Sequence, residues 1–450
     1  MSIDPGIFKA YDIRGIYPDQ LNSDLATQIG RAFVDYLCAK QIAVGRDARL
    51  SSPELAAAFI EGARDHGCHI LDIGVVATDM LYFAVGQRDL DGGAVITASH
   101  NPKEWNGLKL VRRGALPLSG DAGIKEIREG ILAGRYTTPG SGGAPAPEVV
   151  DIQSEYSEHC LSFIDASLVP RLKVVLDTGN GSGAVAAGAI FDGLPLETVK
   201  LHFELDGTFP NHPPDPLQEE NRRELAECVL EEKADLGIAW DGDADRCFFI
   251  DDRGAFVPGD FVTALLGERF CALEPGARIV YDVRASRAVP DTITAAGGVP
   301  LIHRVGHAFI KRRMRDEDAI FGGEVSGHYY FRDNWFADNG MIPALLLLEL
   351  LGKSGKRLSE LVSSISDRYH ISGEINSRVS DIPAALERLE KRYADAEITR
   401  LDGISVDYAD WHFNVRASNT EPLLRLNLEA FEREAMQERR DEVLAVIRGV

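Results

Sequence analysis

Leu236–Arg246 reads LGIAWDGDADR: a short apolar run, then three aspartates spaced by glycine and alanine. The first half has the length and composition of a buried strand, and the second half ends it at a turn. The same grammar recurs along the chain. Ala94-Val95-Ile96 runs into Thr97–Pro102, TASHNP. Lys173–Leu176 runs into Asp177–Ser182, DTGNGS, and then the small-residue stretch Gly183–Ile190. Arg278–Tyr281 runs into Asp282–Ser286. A buried strand closing on a Gly- or Asp-rich turn, with a helix to follow each time, is the βαβ signature, and it repeats too often for one small sheet. The reading is several α/β modules in series, each presenting a loop at a strand's carboxyl end, where ligands of open α/β sheets gather. Beyond about His370 the pattern changes. EINSRV from Glu374, a helical stretch at Ile382–Ala394 and alternation at Trp411–Val415 and Leu423–Asn427 predict a smaller α+β domain with antiparallel strands.

The 450 residues suffice for two to four domains at about 100–200 residues each. With 48 Lys+Arg against 70 Asp+Glu the net charge is −22, which repels phosphate backbones and anionic lipid. Nucleic-acid and membrane-surface roles are therefore disfavoured, and a phosphorylated ligand needs a local basic site. Six scattered cysteines without a C-x-x-C pair predict buried free thiols in a reducing compartment. Met1–Lys9 has no signal-peptide pattern, and the apolar stretch Met341–Leu351 is far short of the ~20 residues of a membrane span. A cytoplasmic protein is expected. Tyr136–Pro147, YTTPGSGGAPAP, reads as an exposed loop or linker.

Four loops carry chemistry. In TASHNP, Ser99 lies just past a buried strand on a turn that Pro102 keeps out of the sheet; it suits a nucleophile or phosphate carrier, or a mere turn serine beside His100. No G-x-S-x-G elbow is present, which disfavours a hydrolase triad. Lys109, ten residues on, can aim back at this turn. In WDGDADR, small spacers let Asp241, Asp243 and Asp245 converge on one hard cation. An EF-hand reading fails, because Arg246 and Asp252 stand where Gly and Glu are required. Without a counter-ion the three acids would repel one another, so a metal is favoured over a solvated acidic loop. In Gly322–His328, GGEVSGH, Glu324 and Ser326 suit adjacent sugar hydroxyls, although a polar glycine-rich turn reads the same. In Arg416–Pro422, RASNTEP, Arg416, Ser418, Asn419 and Thr420, with Arg425 beyond, make a phosphate cradle or an ordinary strand-to-strand turn. Together the four support metal-assisted phosphoryl transfer on a sugar phosphate.

These motifs, with Tyr11–Gly15 (YDIRG) and Gly45-Arg46-Asp47 (GRD), resemble the signature loops of the α-D-phosphohexomutase family in order and spacing. GEVSGH is most similar to the loop of the bacterial phosphomannomutase/phosphoglucomutase group. The resemblance covers the whole chain. It implies four domains in a heart shape around a central cleft: three mixed α/β domains and a TBP-like α+β domain. Their expected spans are 1–148, 149–252, 253–367 and 368–450.

The resemblance also implies a reaction and roles. Phosphoserine at Ser99 gives its phosphoryl group to a hexose 1- or 6-phosphate, a hexose 1,6-bisphosphate turns over, and the other phosphate returns to Ser99. Mannose phosphates are the expected substrates, with glucose phosphates accepted. Mg²⁺ is held by Asp241, Asp243, Asp245 and a phosphoserine oxygen, and glucose or mannose 1,6-bisphosphate is the activator. His100 and Arg246 stabilise charge, Lys109 and His307 are the acid and base, and Arg14 steadies either. As a base the lysine would need a depressed pKa. Tyr11, Arg284, Glu324, Ser326, His328, Arg416, Ser418, Asn419, Thr420 and Arg425 bind substrate. Arg284 stands where lysine is usual in the dual-specificity group, and it exchanges a point charge for a planar fork. Ala244 is smaller than the aromatic residue usual there. A monomer is expected, with a dimer as the alternative. The competing readings are a phosphoglucomutase or phosphoglucosamine mutase, a sugar-phosphate binding protein on the same scaffold, and a metal-dependent phosphatase.

Overall fold

The computed structural model describes residues 3–120, 122–140, 143–417 and 423–449. The chain forms two compact units. One holds the described residues up to Val257 together with Ser326–Leu358; the other holds Pro258–Val325 and the described residues from Ser359 on.

The first unit contains two mixed sheets. In the N-terminal sheet the strands run in the order Ile13–Ile16, Trp105–Arg112, Gly92–Ile96, Gln41–Arg46, His69–Val75 and Glu148–Val149. Gln41–Arg46 pairs in parallel with both of its neighbours, whereas Trp105–Arg112 is antiparallel to Gly92–Ile96 and to Ile13–Ile16. Gly92–Ile96 is buried along its whole length, as a central strand covered on both faces must be. Helices Ser23–Leu37 and Ser52–Asp65 meet at glycines. A Cβ on Gly30 would lie 2.2 Å from the Phe59 carbonyl, and one on Gly62 would lie 2.0 Å from that of Thr27. Only the missing side chains allow this approach, which lets Ile29, Phe33, Leu55 and Phe59 close the core.

The second sheet runs Phe256–Val257, Cys247–Ile250, Leu236–Trp240, Leu172–Asp177, Leu196–Leu201. Leu172–Asp177, helix Gly183–Phe191 and Leu196–Leu201 form a parallel βαβ unit. One expectation is corrected here. A helix does not follow every buried strand: Gly92–Ile96 and Leu236–Trp240 each turn back into an antiparallel partner, Trp105–Arg112 and Cys247–Ile250. The physical reason is local. The four residues after DGDADR, CFFI, are buried and too few for a helix, and NGLKLVR alternates with period two. The two loops with the most chemistry therefore cap hairpins and not βα turns. Helix Met341–Ser354 and the short hairpin Tyr329–Phe331/Ala337–Asp338 complete this unit.

In the second unit, parallel strands Val299–His303, Arg278–Asp282 and Phe321–Gly323 lie in that order, with helices Gly259–Leu273, Ala288–Ala295 and His307–Glu317. The C-terminal sheet is antiparallel: His370–Ile371, Leu423–Ala430, Trp411–Ala417, Ile404–Asp407, Glu397–Thr399, with Ile375–Arg378 also on Leu423–Ala430. Leu389 and Tyr393, and Val443 and Ile447 of helix Arg433–Arg448, pack with Phe413, Val415 and Leu426. The α+β character read after His370 is present. Among the described residues no helix is long and apolar enough to cross a membrane. All six cysteines are free; Cys68, Cys160, Cys247 and Cys271 are buried, but Cys38 is exposed, because it caps a surface helix in a left-handed turn.

Candidate active site

Ser99 follows strand Gly92–Ile96 with φ +54°, in the left-handed region where a non-glycine residue persists only if its surroundings hold it. Here they do. Its N–H donates to Thr97 Oγ1 (2.9 Å). Arg49 Nη2 donates to the Ser99 and Asn101 carbonyls (2.7 and 2.6 Å), and Nη1 to those of Pro102 and Trp105 (2.8 and 3.1 Å). Arg49 is fully buried and paired with Asp47 at 3.1 Å. The sequence reading stopped at the GRD motif and missed this clamp; an arginine two residues beyond the aspartate that follows a buried strand was the available signal. Arg14 holds the same turn, donating to the Ala98 carbonyl (3.1 Å) and Asn101 Oδ1, while its Nε donates to Asp12 (2.7 Å). Tyr11 lies three residues before it, half-buried.

The three aspartates converge on this turn. Ser99 Oγ donates to Asp241 Oδ2 at 2.8 Å, and His100 Nδ1 lies 3.2 Å from Ser99 Oγ. With its proton given to Asp241, the serine oxygen accepts from His100 Nδ1–H. Burial first, then the charges of Arg246, Arg14 and Lys109, hold His100 well below the usual imidazole range, so its ring is neutral. The loops meet backbone to backbone: a Cβ on Gly242 would lie 2.6 Å from the Ser99 carbonyl. Ala244 is fully buried with φ +57°, and a Cβ on Gly340 would come within 2.2 Å of its carbonyl, so a bulky aromatic side chain here would need its neighbours to move. Thr78, at the start of helix Thr78–Gln87, holds Asp243 with its N–H to the carbonyl (2.8 Å) and its hydroxyl to Oδ2 (2.6 Å). No sequence signal marked Thr78.

Lys109 projects from the strand beside Gly92–Ile96, paired with Val95 in register. Its ammonium donates to Asp243 Oδ2 (2.7 Å) and to Asp245 Oδ2. Burial works against the charge, but Asp243 and Asp245 outweigh it and raise the pKa above the ordinary lysine value. The depressed value that base catalysis would need is thus absent. Arg246 lies beside Asp241 (Nε to Oδ2, 3.7 Å), and His328 Nε2 lies 3.5 Å from Asp245 Oδ1, with Ser326 Oγ 3.1 Å from His328 Nδ1. Ser326 and His328 therefore meet the aspartate loop.

A divalent cation fits these residues. The ligand atoms of Asp241, Asp243 and Asp245 lie within 4.8 Å of one another. Asp243 Oδ1 is buried and accepts no hydrogen bond from the described residues. Burial, with Asp245 and Asp243 beside it, holds the Asp241 carboxyl well above the usual carboxylate range, the mark of crowded negative charge short of a counter-ion. An all-oxygen set suits Mg²⁺.

The second unit gathers its own cluster. Arg284 forms a two-toothed pair with Asp282 (2.9 Å to each oxygen). The same guanidinium lies 3.9 Å from Glu324 and 3.4 Å from Glu374. Glu324 accepts from the Gly306 N–H (2.9 Å), next to His307, which opens helix His307–Glu317. Glu374 also accepts from Arg425 (3.1 Å), and Arg416 sits opposite Arg425 in register, 3.5 Å from Asp402. Glu374 thus ties Arg284, with Glu324 beside it, to Arg425, while Arg416 pairs with Asp402; Asp282, Glu374 and Asp402 are acids the sequence reading did not single out. Ser418, Asn419 and Thr420 lie outside the described residues.

Comparison with known proteins agrees with this arrangement. Four domain families match in order: phosphoglucomutase/phosphomannomutase alpha/beta/alpha domain I over residues 5–137, domain II over 154–254, domain III over 258–369 and the C-terminal domain over 374–446. The chain is 44% identical over 434 residues to a phosphomannomutase of Salmonella montevideo, covering 94% of both. It is 44% identical over 446 residues to a protein of Xanthomonas campestris pv. campestris named phosphohexose mutases, covering 98% of this chain and 99% of that one. A crystal structure of a phosphoglucomutase/phosphomannomutase family protein from Burkholderia thailandensis superposes with TM-score 0.90 at 33% identity, over 99% of this chain and 98% of the other. The chain is a four-domain protein of the phosphoglucomutase/phosphomannomutase family.

Proposed function

We propose that the chain is a phosphomannomutase, interconverting mannose 1-phosphate and mannose 6-phosphate, and accepting glucose phosphates, through a phosphoserine at Ser99. The observation that carries this is the Ser99 hydroxyl, buried in a left-handed turn and hydrogen-bonded at 2.8 Å to the first of three convergent aspartates. A hydrolase gains nothing from a serine so enclosed, whereas a carrier of a phosphoryl group is protected from water by it. Identity to the Salmonella phosphomannomutase supports mannose as the sugar.

In this reading Asp241, Asp243, Asp245 and a phosphoryl oxygen on Ser99 hold Mg²⁺. Bound there, the ion supplies Lewis-acid neutralisation of phosphoryl charge. The substrate's free hydroxyl oxygen bonds to phosphorus as the bond from phosphorus to Ser99 Oγ breaks. Lys109, which its aspartate partners hold as an ammonium, gives the proton that Oγ takes up; His307 accepts the one the sugar hydroxyl loses. The bisphosphate then turns over and the steps run in reverse with the other phosphate, which leaves Ser99 phosphorylated again; a trace of glucose or mannose 1,6-bisphosphate activates the enzyme by giving a phosphoryl group to any Ser99 that lacks one. His100, Arg246 and Arg14 order the carrier. Tyr11, Arg284, Glu324, Ser326 and His328 serve the sugar, and Arg416, Ser418, Asn419, Thr420 and Arg425 the idle phosphate. We place the domain borders after residues 148, 252 and 367, and the protein in the cytoplasm as a monomer.

Phosphorus NMR tests the reading. Purified protein with Mg²⁺ and a trace of glucose 1,6-bisphosphate receives mannose, glucose or glucosamine 1-phosphate in separate tubes. Mannose 6-phosphate forming without inorganic phosphate is the expected result. Conversion of glucosamine 1-phosphate alone, or release of inorganic phosphate alone, contradicts it.

A further inference from the structure

Away from the aspartate loop, the first unit gathers a second group of ligand-type side chains: Asp177, His202 and His212, whose nearest ligand atoms all lie within 4.8 Å of one another. Asp177 ends strand Leu172–Asp177 and is buried. Its Oδ1 accepts the Gly179 N–H (2.9 Å), which leaves Oδ2 to face His212 Nε2 at 3.1 Å. His212 Nδ1 faces the Pro213 carbonyl at 2.9 Å. A carbonyl only accepts, so Nδ1 carries the hydrogen. A neutral ring then turns the Nε2 lone pair towards a carboxylate oxygen, and two acceptors at 3.1 Å need something positive between or beside them. A second proton on the ring is one answer; a metal ion is the other.

Three features favour the metal. Two ligands on a tetrahedral zinc, each at 2.0–2.1 Å, stand about 3.3 Å apart, close to the separation found. Both ligands already have the outer partners that metal sites use, since the histidine's remote N–H is held by a carbonyl and the carboxylate's other oxygen by an amide. His202 is held in place at a conformational expense: φ is +53°, and its carbonyl accepts from the Asn180 N–H and the Thr178 hydroxyl, each at 2.8 Å. Its Nε2 lies 3.0 Å from Glu224 Oε2, a more exposed carboxylate that offers a fourth ligand and an entry path.

We infer that Asp177, His202 and His212, with Glu224 or a water, form a site for a late first-row divalent cation, Zn²⁺ foremost. Two imidazoles and a carboxylate select zinc over magnesium. The site's place gives it a purpose. Residues 202–218 carry no helix or strand, yet they back both catalytic loops. Phe209 lies under the Arg49 guanidinium at 5.1 Å, and the Pro214 carbonyl accepts from the Gly242 N–H at 3.2 Å. A metal joining His202 and His212 to Asp177 ties this irregular segment to the sheet and stiffens what lies behind Ser99 and the aspartates.

Co²⁺ is the probe, titrated into metal-stripped full-length protein with Mg²⁺ in excess and read by its visible absorption. One Co²⁺ with the intense bands of a tetrahedral nitrogen–oxygen site, displaced by Zn²⁺, is expected. His202→Ala, whose folding is checked by circular dichroism, should bind about tenfold or more weakly, and His212→Asn should behave alike. Asp241→Asn, which disturbs only the catalytic loop, should retain the bands. Zn²⁺ should also raise the melting temperature of the wild type and not of His202→Ala. Equal Co²⁺ binding by wild type and His202→Ala overturns the inference. So does no uptake, with NMR showing His212 protonated on both nitrogens.

Discussion

At the residue scale the account turns on buried polar groups and the few partners that hold each of them. Arg49 gives four hydrogen bonds to the Ser99 turn while paired with buried Asp47. Arg49→Met should leave that carboxylate unpaired and destabilise the protein by about 3–5 kcal/mol in urea unfolding. Loss of less than about 1 kcal/mol would show that the turn holds itself. Asp79 offers a pH test. Its carboxyl accepts from Tyr156 Oη (2.6 Å) and the Gly340 N–H (3.2 Å), but burial outweighs both and pushes its pKa up to about 7. The folded state thus keeps a proton that the unfolded chain releases near pH 4, and stability declines as pH rises from about 4 to about 7. Relative to Asp79→Asn, the wild type should lose about 3 kcal/mol between about pH 5 and pH 8 in paired denaturation curves; a pH-independent difference would contradict the burial argument. Ser99, the three aspartates and Lys109 were legible in the sequence because each follows or sits on a strand with chemistry-bearing neighbours. Arg49, Thr78 and Glu374 were not. Their work is to hold a carbonyl or a carboxylate from a distant segment, and nothing local in the chain encodes that partner.

At the element scale the site is two hairpin turns pressed together. The aspartate loop after Leu236–Trp240 approaches the Ser99 turn through a residue without a side chain, Gly242. Gly242→Ala would place a methyl 2.6 Å from the Ser99 carbonyl and 3.2 Å from Pro214. The neighbour on one side is backbone, so the loops must separate. A shift of about 1 Å in a phosphoryl-transfer site costs about a hundredfold in kcat/KM, with stability falling far less in proportion. Unchanged turnover would mean that the two loops are not a catalytic unit. The hairpins themselves escaped the sequence reading. A fully buried strand such as LGIAW reads the same before a helix or before an antiparallel partner, and only the brevity of CFFI distinguishes the two. The βαβ unit at Leu172–Leu201 and the α+β end of the chain were legible, because helical and alternating periods there are long enough to tell apart.

At the scale of the whole molecule, each compact unit has at least one sheet wholly its own and its own cluster of charged residues. Denaturation should therefore depart from a single two-state transition. Of the four tryptophans, Trp105, Trp240 and Trp335 belong to the first unit and Trp411 to the second. In a Trp411→Phe protein, fluorescence follows the first unit alone. Mg²⁺ at about a hundred times its dissociation constant should stabilise that transition by about 2.7 kcal/mol. The shift should vanish in Asp243→Asn, and EDTA should abolish turnover in the wild type. On a protein of net charge −22 proposed to bind phosphate esters, Arg284, Arg416 and Arg425 of the second unit supply guanidinium groups, each held beside a carboxylate with which a phosphate would compete. The central claim is that Ser99 carries the phosphoryl group. It is tested most directly by loading the protein with radiolabelled phosphate from glucose 1,6-bisphosphate, removing excess label and adding unlabelled mannose 1-phosphate with Mg²⁺. Label found on Ser99 before the chase, absent from Ser99→Ala, and transferred to hexose phosphate within a turnover is the expected result. Label that never attaches to Ser99, or that leaves it only as inorganic phosphate, would contradict the account.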